Sequence, residues 1–208
     1  MSTGLLPGPV GIWTTTLDGL EVPAARDQVA ELDAQGWDAL WFGEAYGREA
    51  LTAAALYLGA SRRMSVVTGI ASIYGRDAMN ANAGSRLLEE MHPGRFVLGF
   101  GVSHAPLVER MRGHSYGKPL AAMTEYLYAM DAAPYAAAGG STAPPRVLAA
   151  LGPRMLELAR ERTAGAHPYL VTPEHTASAR ATLGPGPLLA VEQAVVLSDD
   201  ADVVRERG

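Results

Sequence analysis

Glu44 and His104 are the side chains whose type and setting best suit moving a proton. Glu44 closes an otherwise apolar run, DALWFGE (38–44), where exclusion of water would fit a carboxyl for acid–base work. A salt bridge to Arg48 or Arg76 is the competing use of the same group. His104 ends the string Gly99-Phe100-Gly101-Val102-Ser103-His104, and an imidazole suits proton transfer near neutrality. A solvated loop histidine is the plainer alternative. The two glycines bare the backbone where a flat ligand could lie, and close packing accounts for them equally well. Gly152-Pro153-Arg154 offers a different chemistry, because proline fits the first turn of a helix and the glycine before it leaves backbone amides approachable. A phosphate could bind there. A bare helix start reads the same way.

Other chemistries lack their residues. The five histidines, at 92, 104, 114, 167 and 175, include no pair at i, i+4 spacing, so no metal site is expected. Cysteine is absent, which removes disulfides, thiolate ligands and a cysteine nucleophile. No G-x-S-x-G elbow occurs.

Seven apolar runs and the helix-like stretches between them must position these residues. The strands are expected at 10–14, 38–44, 64–72, 95–101, 146–151, 166–171 and 189–197. Helices are expected from Pro23 to the Gly36 cap, then over 48–61, 77–91 and 119–131, and after Gly152-Pro153 and Thr172-Pro173, with a final stub. A polar connection, 102–117, and an Ala/Gly/Pro linker, 132–145, fill the longer gaps. A repeat of about 25 to 30 residues per unit indicates parallel βαβ units. No G-x-G-x-x-G follows the first strand, and the beat runs evenly without a second domain. The expectation is therefore one domain over 1–208, a TIM-type (β/α)8 barrel of the α/β class that is incomplete, with seven strands where closure needs eight. Chemistry then belongs at the strand C-termini. Trp13, Glu44, Ser72 and His104 stand there, as do His167, Tyr169 and Glu174 after strand six.

Composition narrows the partners. Hydrophobic residues make up 48% and charged ones 19% of a chain with net charge −5 and no basic run. That is globular, and it argues against nucleic acid or an anionic membrane as a partner. No stretch reaches the roughly 18 apolar residues of a membrane span. No secretory signal is visible, and a cytoplasmic location suits the cysteine-free sequence.

VGIWT (10–14), ALWFGEAYGREAL (39–51), VVTGIASIYGRD (66–77), HPGRFVLGFGVSHAPLVE (92–109), LAALGPRMLELA (148–159) and AGAHPYLVTPEHTA (164–177) together resemble the luciferase-like monooxygenase superfamily, in its F420-dependent oxidoreductase branch. The resemblance implies a bacterial-luciferase kind of barrel holding coenzyme F420, or alternatively FMN, at its C-terminal face. It implies hydride transfer to or from a small organic substrate, with an FMN-dependent monooxygenase as the alternative. It places the ring against strand three across a non-prolyl cis bond near Ala71-Ser72, beside Gly101, Val102 and Ser103. The phosphate falls at Gly152, Pro153 and Arg154. Relatives often carry an acidic residue where Val102 stands and a histidine where Ala45 stands, so His104 or Glu44 would have to substitute. Open sheet edges would need covering, and a homodimer is expected. A shortened, non-catalytic flavin-binding barrel is the further alternative.

Overall fold

The computed structural model describes residues 7–139 and 142–207; the expected linker falls partly outside them. Eight short strands form one parallel sheet. They are β1 (Gly11–Trp13), β2 (Ala39–Phe42), β3 (Ser65–Thr68), β4 (Ala71–Ser72), β5 (Phe96–Gly101), β6 (Arg146–Leu148), β7 (Gly165–Ala166) and β8 (Leu188–Leu189). Their order is β1-β2-β3-β5-β6-β7-β8, with β4 beyond β3 and also paired to β5. β3 and β4 are thus two halves of the expected third strand, and seven strand positions remain. Neither β1 nor β8 has a second neighbour among the described residues, so the sheet does not close there.

The interruption in the third position lies at Gly69-Ile70, whose peptide bond is cis. This corrects the expected position, Ala71-Ser72, by two residues. Strands six and seven are also shorter than expected. Pro168 has no N–H to continue β7, and Leu170 turns into the left-handed region (φ 48). After β8, the N–H groups of Ala190 and Glu192 reach Ala166 and Pro168 carbonyls, and beyond them Val195 and Leu197 lie exposed.

The helices are α1 (Val22–Gln35), α2 (Ala50–Ala60), α3 (Ala78–Met91), α4 (Pro119–Ala132), α5 (Pro153–Arg162), α6 (Pro173–Leu183) and α7 (Ala201–Arg207). Their ends follow local chemistry. Glu49, Asp77 and Thr172 cap α2, α3 and α6 through their side chains, and Gly36 closes α1 at φ 91. Proline occupies the first turn of α1, α4, α5 and α6. The connection after β5 holds one element the sequence did not announce, a π-helical turn at Leu107–Met111.

Strand residues alternate between two cores. Leu40, Phe42, Val66, Phe96, Leu98 and Phe100 face the helices, while Ala39, Trp41, Val67, Val97 and Val147 form a smaller inner cluster with Leu188. The Trp41 and His167 rings stack at 4.5 Å although β2 and β7 are four positions apart in the sheet. Only a curled sheet brings them together.

Asp33 ties α1 to this sheet. Its carboxylate, 8% exposed, accepts the N–H groups of Arg62, Arg63 and Met64 on the approach to β3. Burial pushes its pKa up, but those three N–H groups and the Arg63 charge outweigh burial and hold it below the ordinary value. A depressed carboxyl stabilises fully above its unfolded value and loses that contribution as pH falls through the folded one. Asp33→Ala should therefore lower unfolding free energy by about 2–3 kcal/mol at pH 7 in urea melts. The deficit should shrink below about pH 4, where the wild type loses the same charge.

Candidate active site

The strand C-termini open into a cleft of about 1370 Å³. Its floor is built by the Trp13 and His167 rings around Gly69, with Trp41 packed behind that glycine. Trp13 Nε1 donates to the Gly69 carbonyl at 2.7 Å, and a Cβ on Gly69 would stand 3.1 Å from both Trp13 Nε1 and His167 Nε2. A larger residue there would force these rings to give by a few tenths of an ångström. His167 is 4% exposed, and its Nδ1 lies 2.9 Å from the Ala190 carbonyl. A carbonyl only accepts, so Nδ1 carries the proton. Burial lowers the His167 pKa more than that hydrogen bond and the Glu192 charge raise it, so the ring is neutral at pH 7.

Glu44 lines the cleft, but its carboxylate is committed to neighbouring groups of the chain. One carboxylate oxygen accepts the Ser72 N–H at 2.8 Å, and the other accepts the Ala50 N–H at 3.2 Å and pairs closely with Arg76. The two side chains of that ion pair are 5% and 6% exposed. Of the two alternatives for this glutamate, the salt bridge to Arg76 is formed.

The other candidates divide into two groups. Val102, Ser103, His104, Gly152, Pro153 and Arg154 line the cleft with Gly101, His104 being exposed at its mouth. Ser103 holds a left-handed backbone (φ 58) and accepts the Tyr116 hydroxyl on its carbonyl at 3.2 Å. Gly152 caps α5 without a side-chain bond, and nothing lies within 4 Å of where its Cβ would be. Ala71 and Ser72, by contrast, are fully buried outside the cleft, and Gly69 and Ile70 take their place in its wall. Ser72 is occupied locally, its hydroxyl accepting the Tyr74 N–H. Gly101 serves packing: a Cβ there would meet Ile70 Cδ1 at 2.5 Å. Gly99 likewise admits the Thr68 carbonyl. No cluster that could hold a metal ion occurs among the described residues.

Trp13, Gly69, Ile70, His167 and Glu192 are among the cleft residues that sequence reasoning did not single out as site residues. Trp13 and His167 were visible as strand-end residues, but their partners lie 56 and 23 positions away along the chain.

The sequence profile described as luciferase-like monooxygenase matches residues 6–185. The chain belongs to the luciferase-like monooxygenase family. A Mycobacterium tuberculosis protein named as a coenzyme F420-dependent oxidoreductase is 30% identical over 99 residues, covering 48% of this luciferase-like chain and 28% of the relative. The F420-dependent tetrahydromethanopterin reductase of Methanopyrus kandleri superposes with a TM-score of 0.65 at 17% identity, over 85% of this chain and 60% of the reductase. The oxygenating constituent of 3,6-diketocamphane monooxygenase from Pseudomonas putida, solved with FMN, gives a TM-score of 0.73 at 14% identity, over 95% of this chain and 70% of that one. These structural likenesses establish the fold. The luciferase-like chain therefore forms seven strand positions of a TIM-barrel wall and spans 28% of the mycobacterial relative and 60% of the reductase, under two thirds of each.

If Glu44 braces this site, Glu44→Gln should lower stability by about 2–4 kcal/mol in denaturant melts, because Arg76 and the Ser72 and Ala50 amides lose a charged acceptor. A change under about 0.5 kcal/mol would free the carboxylate for proton transfer.

Proposed function

We propose that this chain performs oxidoreduction on a small organic molecule, by hydride transfer to or from coenzyme F420 held in the cleft. The observation that carries the proposal is one cleft joining the Gly69-Ile70 segment to the start of α5, which has no side-chain cap. The mycobacterial relative's name makes F420 the first choice.

The residues fit such a group. Open space beside Gly152 and the positive charge of Arg154 suit a phosphate. Ile70, Gly101, Val102 and Ser103 border the stretch of wall where a flat ring would lie. Ala71 and Ser72 then act from behind that wall. The volume, about 1370 Å³, exceeds the roughly 300–1,000 Å³ of ordinary ligand pockets and leaves room for a substrate beside the cofactor.

Bound F420 supplies the hydride donor or acceptor. The chain supplies orientation and protons. His104, at the mouth, gives or takes the substrate proton at an imidazole nitrogen. Glu44 is a positioning residue, holding Ser72 and Arg76 so that the neighbouring Gly69-Ile70 segment keeps its place.

A second reading is FMN-dependent oxygenation. It is favoured by the Pseudomonas putida structure with FMN, which covers 95% of this chain. The same phosphate end and ring wall serve either cofactor. A cytoplasmic homodimer belongs to both readings.

Titrating purified protein with F420 and with FMN, followed by absorbance and fluorescence alongside native mass, tests the choice. F420 should bind at least about tenfold tighter than FMN, a difference of about 1.4 kcal/mol. The reverse order favours oxygenation, and binding of neither removes both readings. His104→Ala in F420-loaded protein should lower turnover about 100-fold or more while leaving F420 affinity unchanged. Binding without turnover on any substrate would instead make this a ligand-holding barrel without catalysis.

A further inference from the structure

His167 has no task in the proposal above, yet the fold fixes its ring through a hydrogen bond and an aromatic stack. Its Nδ1–H is donated to the Ala190 carbonyl at 2.9 Å, and its ring stacks on Trp41 at 28° between planes. Orientation and tautomer are thereby both set. Nε2 is left with a lone pair and no hydrogen bond to any described residue. It borders the cleft floor, 3.1 Å from the position a Cβ on Gly69 would take.

The neighbouring polar groups are already engaged. Trp13 Nε1 is spent on the Gly69 carbonyl, and the Glu192 carboxylate accepts the Leu170 N–H at 3.1 Å. Water in the open cleft donates to that lone pair, so a ligand that displaces the water has to bring a donor of its own.

We infer that His167 Nε2 accepts a hydrogen bond from an imide-type N–H on the edge of a planar heterocycle, and so selects the ring that the cleft admits. The inference rests on reading the cleft as a cofactor site. Shape narrows the ligand class. Atoms of Trp13, Trp41 and His167 all stand within 3.2 Å of where a Cβ on Gly69 would be, so a thin, flat edge reaches Nε2 where a branched group does not. Chemistry narrows it further: a ring edge that presents only lone pairs would meet the Nε2 lone pair and be rejected.

FMN and N3-methyl-FMN differ by this one donor, and both can be titrated into unmodified protein by fluorescence. FMN should bind about tenfold more tightly than its methylated form. His167→Phe, which keeps a ring against Trp41 but has no acceptor, should weaken FMN about tenfold and erase the difference between the two ligands. His167→Gln, with an amide able to donate to Ala190 and an oxygen to accept, should restore most of the affinity. Thermal melts check that each variant is folded. Equal binding of the two flavins to unmodified protein overturns the inference, as does a preference for FMN that survives in His167→Phe. Binding of neither flavin nor F420 to unmodified protein overturns the reading of the cleft itself.

Discussion

Where the third strand position breaks between β3 and β4, the rest of the cleft depends on how Glu44 bridges the gap. Its backbone N–H donates to Ile70 at 3.1 Å, one residue pair beyond the bond from Gly69 N–H to the Phe42 carbonyl. Its carboxylate then reaches past the break to Ser72, back to the first residue of α2, and across to Arg76 beside the Asp77 cap of α3. One buried anion thus joins β2, β4 and two helix starts. Such a group is costly to leave unpaired, so its partners are held together as a set. The positions of Ile70 against Gly101, and of the Gly69 carbonyl under Trp13, follow from that set.

Helix extents and caps were legible in the sequence because their determinants are local. Proline in first turns, Asp77 and Thr172 as caps, and Gly36 as a stop all act within four residues of where they stand. Strand order was legible from the beat of apolar runs. Strand length was not, since a strand ends where its neighbour stops offering partners, as Pro168 and the exposed Val195 illustrate. The cleft was legible at Val102 to His104 and Gly152 to Arg154, which follow their strands directly. It was illegible at Glu44, whose composition suits proton transfer and bracing equally. The glycines at 99 and 101 left two readings open for a related reason: a bare backbone looks the same whether a ligand or a neighbouring side chain fills the space. Gly99 admits the Thr68 carbonyl, whereas Gly101 both packs against Ile70 and lines the cleft.

The curl of the sheet has two unpaired sides among the described residues, at β1 and at β8. Parallel strands present slanted rows of donors and acceptors, and an edge left open tends to recruit another strand. Here the residues flanking the open sides also contribute to the cleft, Trp13 from β1 and Glu192 just after β8. Whatever pairs with either edge is therefore felt at the floor. The inner core, with four small or medium buried side chains and Trp41, adds little mass to resist that influence.

The acceptor that fixes the tautomer of His167 is a main-chain oxygen, that of Ala190. Every amino acid supplies that oxygen, so replacing residue 190 does not by itself remove it, and the proton stays on Nδ1 through sequence drift that would reset a carboxylate–histidine pair. Heritability of the proton's location then belongs to the path of the chain after β8 and not to any side chain. Insertions or deletions between β8 and Glu192 are the changes to which it is most vulnerable, since they move the main chain that carries this oxygen.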